Sequence, residues 1–171
     1  MAIQIILCVE TTRNADTDTK YIRDSIRHFY NIDNSVKLNT VYMNSKDKYN
    51  SSKVLKEITS KNKMFERIGE SVVVYCIDTD SIDTKNEDKM QFDKIAQFCI
   101  QNGYELVWFC HDVEEVFVGH KVHNAKKVKE AAEFQRKNQI SNIDKSRLRC
   151  KSIKVHGSNL LLVLDKYLKL K

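Results

Sequence analysis

Residues 72–80 read Val-Val-Val-Tyr-Cys-Ile-Asp-Thr-Asp, an apolar run that leads into two acidic residues and is the clearest indication of fold class in the chain. A second run of the same kind, residues 3–9 (Ile-Gln-Ile-Ile-Leu-Cys-Val), ends in Glu10. Such runs are typical of buried strands in a parallel sheet, whose carboxyl ends form the edge where ligands bind. If the two strands are neighbours, the carboxylates of Glu10, Asp78 and Asp80 meet at that edge.

Carboxylates grouped in this way repel one another unless a cation or a proton lies among them. Oxygen ligands alone suit Mg²⁺ or Mn²⁺, and Mg²⁺ commonly serves phosphate chemistry. Glu10, Asp78 and Asp80 are therefore candidate metal ligands and catalytic residues, and strand alternation predicts that the two Asp side chains face the same way. The alternative interpretation of the Asp pair is a polar turn, because Asp side chains accept hydrogen bonds from nearby backbone N–H groups.

Strand-like and helix-like segments alternate along most of the chain. The strand-like runs lie near residues 2–9, 36–43, 71–77 and 104–110. The helix-like segments cover about residues 18–30, 52–67 and 87–102, and the last of them stops at Asn102-Gly103. This alternation predicts an α/β fold of the three-layer, Rossmann-like type, with a mostly parallel sheet and helices on both faces.

The pattern after Trp108 is less regular. Residues 113–118 fit either a strand or the start of a helix, whereas residues 122–138 fit a basic amphipathic helix and residues 139–157 indicate no element. Ser158 is a candidate N-cap for a last helix over residues 159–170. Because no linker or repeat interrupts the chain, residues 1–171 are predicted to form one domain, with a basic helical region from about 121 to 171.

The composition indicates a protein with its own hydrophobic core. Hydrophobic residues make up 42% of the 171 residues, and charged residues make up 30%. No apolar stretch approaches the roughly 18 residues of a membrane span, and the start MAIQIILCVE resembles a first strand more than a signal peptide. None of the five cysteines forms a C-x-x-C pair, so we expect reduced thiols in the core of a cytoplasmic protein.

The charge is distributed unevenly. Residues 1–120 contain 15 Lys and Arg against 19 Asp and Glu, whereas residues 121–154 contain 11 against three. The basic part is predicted to neutralise the phosphates of DNA or RNA, although a solvated helix face accounts for the charge equally well. The candidate nucleic-acid-binding residues are Lys121, Lys126, Lys127, Lys129, Arg136, Lys137, Arg147 and Arg149.

The acidic strand ends resemble the Toprim pattern, in which Glu follows a first strand and Asp-x-Asp follows a later one. More narrowly, the chain is similar to the RloB-like branch of small Toprim proteins and to the OLD-type nucleases. The segment 17–21 (Thr-Asp-Thr-Lys-Tyr) resembles the Thr-Glu-x-x-Tyr of that branch, and 115–117 (Glu-Val-Phe) falls where it has Phe-Glu-x-Trp. The chain departs from the branch at Thr11, where a Gly is usual, and at His111-Asp112, where Asn-Pro is usual.

The resemblance implies a Toprim-like fold and a Mg²⁺-dependent nuclease that acts on a phosphodiester bond of DNA or RNA. It adds Glu115 and Asp18 to Glu10, Asp78 and Asp80 as expected metal ligands. It also implies a role in phage defence by abortive infection, beside a separate ATPase subunit. Asp18 has a simpler interpretation as a first-turn acid of a helix.

Other functions stay open on the sequence. One is a non-catalytic α/β module that binds nucleic acid or a protein partner through its basic region. A second is a transition-metal site, because His111, Glu115 and the residues around them mix His with carboxylates. A third is a phosphoryl acceptor at Asp78. The four glycines and the lack of a G-x-x-x-x-G-K-[ST], G-x-G-x-x-G or G-x-S-x-G motif argue against an ATPase, a dinucleotide enzyme and a serine hydrolase.

Overall fold

A computed structural model describes residues 2–171, and its centre is a parallel sheet with the strand order β2-β1-β3-β4. The strands are β1 (Ala2–Val9), β2 (Val36–Tyr42), β3 (Gly69–Asp78) and β4 (Glu105–Phe109). The helices are α1 (Asp18–Phe29), α2 (Ser52–Phe65), α3 (Asn86–Asn102), α4 (Val113–Val118), α5 (Asn124–Arg136) and α6 (Leu160–Leu164). The predicted α/β fold with a parallel sheet is confirmed.

The two inner strands, β1 and β3, are buried on both faces. Their pairing runs in register from Ala2 opposite Gly69 to Val9 opposite Cys76. Both strands are largely continuous apolar runs, and the side chains on each face are covered by helices. Gly69 is required at the start of β3, because a Cβ atom there would lie 1.9 Å from the carbonyl oxygen of Ala2.

Helices form one layer on each face of the sheet, which gives the three layers of a Rossmann-like fold. On one face, α2 and α3 contribute Val54, Ile58, Ile95 and Cys99 to a core cluster with the strands. On the other face, α1 and α4–α6 build a larger cluster around Tyr21, Phe117 and Phe134. The three rings stack edge-on or face-to-face, which fixes how α1, α4 and α5 pack together.

The first three helices begin and end within two residues of their predicted bounds. The predicted stop of α3 is confirmed, since Gly103 follows it with φ of 66° and its N–H bonds back to Ile100. Residues 113–118, for which a strand and a helix were both open, form a helix. The basic segment predicted over 122–138 is helical over Asn124–Arg136, and two short 3₁₀ turns follow it.

The prediction of a last helix over 159–170 is wrong, because α6 covers only Leu160–Leu164. The Ser158 hydroxyl does accept a hydrogen bond, from the N–H of Leu160. A turn over residues 165–167 follows the helix, and Leu170 then bridges Tyr30 in an antiparallel pair. The backbone pairing with Tyr30, just after α1, replaces the helix that the spacing of the leucines predicts.

The side chain of Asn159 pairs with backbone groups along the outer edge of β4. Its Oδ1 accepts a hydrogen bond of 2.9 Å from the N–H of Trp108, and its Nδ2 donates one of 2.9 Å to the carbonyl of Leu106. Beside this amide, the backbone of Ser158 forms an antiparallel bridge with Phe109, the last residue of β4. The amide thus substitutes for a fifth strand at this edge.

All five cysteines are buried and free, as predicted for core thiols. Within residues 2–171, none of the helices combines the length and the apolar character that a membrane span requires.

We expect Asn159→Ala to lower the free energy of unfolding by about 2 kcal/mol, because it leaves two backbone groups of β4 without partners. Urea unfolding followed by circular dichroism measures the change. The matched control is Asn142→Ala, at an exposed position in a 3₁₀ turn. Equal stabilities for the two variants would contradict the role of Asn159.

Candidate functional site

The acidic ends of β1 and β3 meet, as the sequence predicts for neighbouring strands. Glu10 follows β1 directly, and its Oε1 accepts a hydrogen bond of 2.7 Å from the backbone N–H of Asp78. The side chain of Asp78 accepts a hydrogen bond of 3.0 Å from the N–H of Val113, at the start of α4. Two carboxylates therefore lie at the same edge of the sheet, held by backbone donors.

Asp80 reaches this edge by a different route from the predicted one. The strand ends at Asp78, and Asp80 adopts a left-handed backbone conformation with φ of 50°, which Asp tolerates better than most residues. Its N–H donates to the carbonyl of His111 at 2.9 Å. Strand alternation therefore does not set its direction, and its carboxylate points to the ammonium group of Lys46.

Lys46 is the first residue of a 3₁₀ turn, Lys46–Lys48, that follows β2. Its side chain extends past the end of β1, and Nζ donates a hydrogen bond of 3.0 Å to the backbone carbonyl of Asp78. The same Nζ forms the ion pair with Asp80, and only 14% of the side chain is exposed. A cationic group thus lies among the acidic strand ends.

A second acidic pair lies behind the first. Asp18, the first residue of α1, is buried, and its carboxylate accepts a hydrogen bond from the Thr17 hydroxyl at 3.4 Å. Glu114 of α4 is 1% exposed, and its Oε2 is 2.9 Å from Nζ of Lys127. The same ammonium group lies 3.2 Å from Asp112. The other oxygen of Glu114, Oε1, is buried and has no hydrogen-bond partner within residues 2–171.

The carboxyl groups at the edge are held close enough to perturb one another. Burial raises the pKa of Glu10 to about 7, with Asp80 adding to the rise and Lys46 opposing it. Burial, reinforced by Glu10 and Asp18, raises the pKa of Asp78 well above its usual range. Asp18 is raised in pKa by burial and by the charges of Glu114 and Glu10. Such mutual perturbation is typical of functional sites.

The two lysines at this edge are held in their charged form. Burial alone would lower the pKa of Lys46, but the carboxylates of Glu10 and Asp80 raise it above its ordinary value. Burial likewise opposes the charge of Lys127, and its contacts with Glu114 and Asp112 raise its pKa. Both ammonium groups therefore stay charged at neutral pH and offset part of the negative charge at the edge.

Glu115, the expected further ligand, lies beside a pair of histidines. Its Oε2 is 3.0 Å from Nδ1 of His111 and 3.8 Å from Nδ1 of His156. Hydrogen bonding to Glu115 raises the pKa of His111. Glu115 and His111 line an open pocket of about 420 Å³ together with Asp80 and Lys121. The structure thus places Glu115 in the same pocket as Asp80, with His111 as its hydrogen-bond partner.

The predicted nucleic-acid-binding residues fall into two groups. Three of them make contacts inside the protein: Lys127 with Glu114 and Asp112, Arg147 with the carbonyl of Val116, and Arg149 with Asp165. The exposed ones are Lys121, Lys126, Lys129, Arg136 and Lys137. Lys137 pairs with Glu133 on the same helix. The exposed group follows α5 away from the pocket that Lys121 lines.

The donor set at the edge has the chemistry that Mg²⁺ and Mn²⁺ prefer, because Glu10, Asp78 and Asp80 supply carboxylate oxygens and Asp78 adds a carbonyl. Burial raises the pKa of Glu10 and the charge of Asp80 adds to the rise, so the ionised carboxylate is less favourable here than in water. In the part of the chain that the structure describes, no three His, Cys, Asp or Glu side chains are arranged to hold a metal ion.

The sequence matches no known protein-family model, and neither a curated protein nor a solved structure shows detectable similarity to the chain.

The sequence predicts that Glu10, Asp78 and Asp80 lie at one edge of the sheet, but it does not predict the lysines that pair with acidic residues there. Lys46 lies in a polar turn (Asn-Ser-Lys-Asp-Lys) with no pattern to separate it from other surface lysines. Glu114 gave one signal, since it is a charged residue inside the otherwise apolar segment 113–118. Lys127 was assigned to nucleic-acid binding, whereas its charge is directed to Glu114 and Asp112.

We expect the metal-free protein to lose stability as the pH rises from about 5 to 7.5, because Glu10 binds a proton more tightly when folded than when unfolded. At about 1.4 kcal/mol for each pKa unit, its share approaches about 3 kcal/mol above pH 7. Glu10→Gln should reduce this dependence, since an amide oxygen still accepts from Asp78. Urea unfolding in EDTA at several pH values measures it.

The matched control for this prediction is Glu66→Gln, an exposed residue at the end of α2. This variant should keep the wild-type pH dependence. A Glu10→Gln protein whose stability falls with pH as steeply as that of the wild type would contradict the assignment.

Proposed function

We propose that this protein is a Mg²⁺- or Mn²⁺-dependent nuclease that hydrolyses a phosphodiester bond of DNA or RNA. The observation that supports it best is the hydrogen-bonded contact between Glu10 and Asp78 at the ends of adjacent strands. The charges that Glu10, Asp78 and Asp80 exert on one another support it further, because crowded carboxylates favour a bound cation. The Toprim-like arrangement and the part in phage defence with an ATPase partner belong to the same proposal.

Glu10, Asp78 and Asp80 would hold the ion, and Asp18 would support them from behind. The metal supplies an activated water and stabilises charge on the phosphate. The chain's own residues position the substrate: Lys121 lines the pocket beside Asp80 and offers a positive charge to a phosphate. The Glu115 carboxylate orients His111 in the same pocket through the 3.0 Å hydrogen bond.

The exposed lysines of α5 provide the sequence-independent part of binding. Lys126 and Lys129 are exposed near the start of the helix whose Lys127 contacts the acidic residues Asp112 and Glu114. A nucleic-acid strand that follows these charges passes the pocket, because Lys121 precedes the helix and lines it. Contacts of this kind neutralise phosphates without reading the bases.

A non-catalytic binding module is the second candidate. It is favoured by the ion pairs of Lys46 with Asp80 and of Lys127 with Asp112 and Glu114, which offset the acidic charge without a metal. In that case the basic surface binds nucleic acid and the acidic edge has a structural role. Cleavage assays separate the two candidates.

We expect Asp78→Asn and Asp80→Asn to lose cleavage while keeping the fold, since the amide oxygen introduced by Asp78→Asn still accepts from the N–H of Val113. Changing a mere partner of a metal ligand costs about 10- to 100-fold, so loss of a ligand should cost more than about 100-fold. The assay uses labelled single-stranded and duplex DNA and RNA with MgCl₂, MnCl₂ or EDTA, resolved on denaturing gels.

The matched control for the cleavage assay is Asp93→Asn, at an exposed position of α3. It should cleave like the wild type. Full activity in Asp78→Asn, or cleavage that persists in EDTA, would refute the metal site; salt-sensitive binding without any cleavage would favour the second candidate.

We expect the double variant Lys126→Ala/Lys129→Ala to bind an oligonucleotide about tenfold more weakly at low salt and to show a shallower dependence of binding on salt. Fluorescence anisotropy over a range of NaCl concentrations measures both. The double variant Lys53→Ala/Lys56→Ala, which removes two exposed lysines from α2 on the opposite face, is the control. If both double variants lose affinity equally, α5 has no special role.

A further inference from the structure

Lys46 has contacts that a surface lysine lacks. Its Nζ lies 3.0 Å from the carbonyl oxygen of Asp78 and pairs with the carboxylate of Asp80, and the charge of Glu10 helps to raise its pKa. To make these contacts the side chain reaches from the turn after β2, an edge strand, to the end of β3. A lysine that served only solubility would keep its ammonium group in water.

The oxygen atoms around the ammonium group are those that a divalent cation would use. The carbonyl oxygen of Asp78 and the carboxylate of Asp80 contact the ammonium group, and the charge of Glu10 acts on it from beyond contact distance. Two cations cannot share these oxygens at close range without strong repulsion. The position of Nζ and the position of an ion bound by Asp78 and Asp80 therefore exclude each other.

The geometry leaves Lys46 a route out of the site. Asp80 has 46% of its side chain exposed, so it can turn towards the pocket that it lines with His111 and Lys121. The 3₁₀ turn that carries Lys46 is short, and Asp47 and Lys48 beside it are exposed. Lys127, by comparison, contacts Asp112 and Glu114, whereas Lys46 contacts Asp78 and Asp80 after the end of β3.

We propose that Lys46 is an internal counter-ion that occupies the divalent-cation position at the strand ends, so that a metal ion binds only by displacing its ammonium group from Asp78 and Asp80. This inference rests on the proposed metal-dependent function. It assigns Lys46 a role in setting the metal affinity of the site: the lysine keeps the acidic edge stable without metal and makes metal binding weaker than the carboxylates alone would allow.

The test is calorimetric titration of the metal-stripped protein with MnCl₂ and MgCl₂. Lys46→Met should bind Mn²⁺ at least tenfold more tightly than the wild type, because the competing charge is gone. The matched control is Lys48→Met, in the same turn and exposed, which should bind as the wild type does. Lys46→Arg keeps the charge and should not gain affinity.

Thermal unfolding of the same samples gives a second measurement that needs no activity. In EDTA, Lys46→Met should melt at a lower temperature than the wild type, because the acidic side chains lose their counter-ion. Saturating Mn²⁺ should raise its melting temperature by more than it raises that of the wild type. If Lys46→Met does not fold, Lys46→Gln keeps a polar, uncharged hydrogen-bond donor at this position and is expected to show the same gain in affinity.

The outcomes separate this inference from the function on which it rests. A wild type that binds metal as tightly as folded Lys46→Met or Lys46→Gln overturns the role of Lys46 and leaves the nuclease proposal standing. Failure of the wild type and every variant to bind either metal overturns both. Tighter binding in Lys46→Met, with Lys48→Met and Lys46→Arg unchanged, supports the inference.

Discussion

The hydrogen bond from the backbone N–H of Asp78 to the carboxylate of Glu10 is the contact on which the arrangement of the acidic edge depends. It continues the pairing of β1 with β3 beyond Val9 and Cys76, where the strand register ends. Because these are the two inner strands, every other element is placed relative to this contact. The turn after β2 brings Lys46 from one side, and the segment after β4 brings Asp112, Glu114 and Lys127 from the other.

The two lysines reduce the free-energy cost of placing so many carboxylates close together. A buried or half-buried carboxylate is costly unless it has hydrogen bonds or an opposite charge nearby. Asp78 uses the N–H of Val113, Asp80 uses Lys46, and Glu114 uses Lys127. Burial still raises the pKa values of Glu10 and Asp18, and the neighbouring carboxylates add to the rise. Glu10 therefore binds a proton more readily than an ordinary carboxylate at the point where β1 and β3 end.

The fold was predictable because periodicity and apolar runs are local signals. The strands around Ile3–Val9 and Val72–Ile77 are largely continuous apolar runs. Gly103 marks the end of a helix because the left-handed backbone conformation after the last turn favours glycine. The contact between Glu10 and Asp78 was predictable because neighbouring parallel strands have their carboxyl ends at the same edge of the sheet. The ion-pair partners Lys46 and Lys127 were not predictable. The sequence around a lysine in a polar turn or on a basic helix is the same whether its ammonium group lies in water or in an ion pair. The last helix was predicted too long because leucine spacing does not reveal that Leu170 pairs with Tyr30.

The position of β1 inside the sheet has a consequence for how the protein is made. Ala2 pairs with Gly69, so β1 cannot pair with β3 until the whole of β2 and α2 has been synthesised. Parallel pairing over such a separation is intrinsically slow, and the apolar segment Ile5–Val9 has only β2 to pair with during that interval. Glu10 and Asp78 therefore come together late in biosynthesis, and a chain interrupted before β3 has no acidic edge at all.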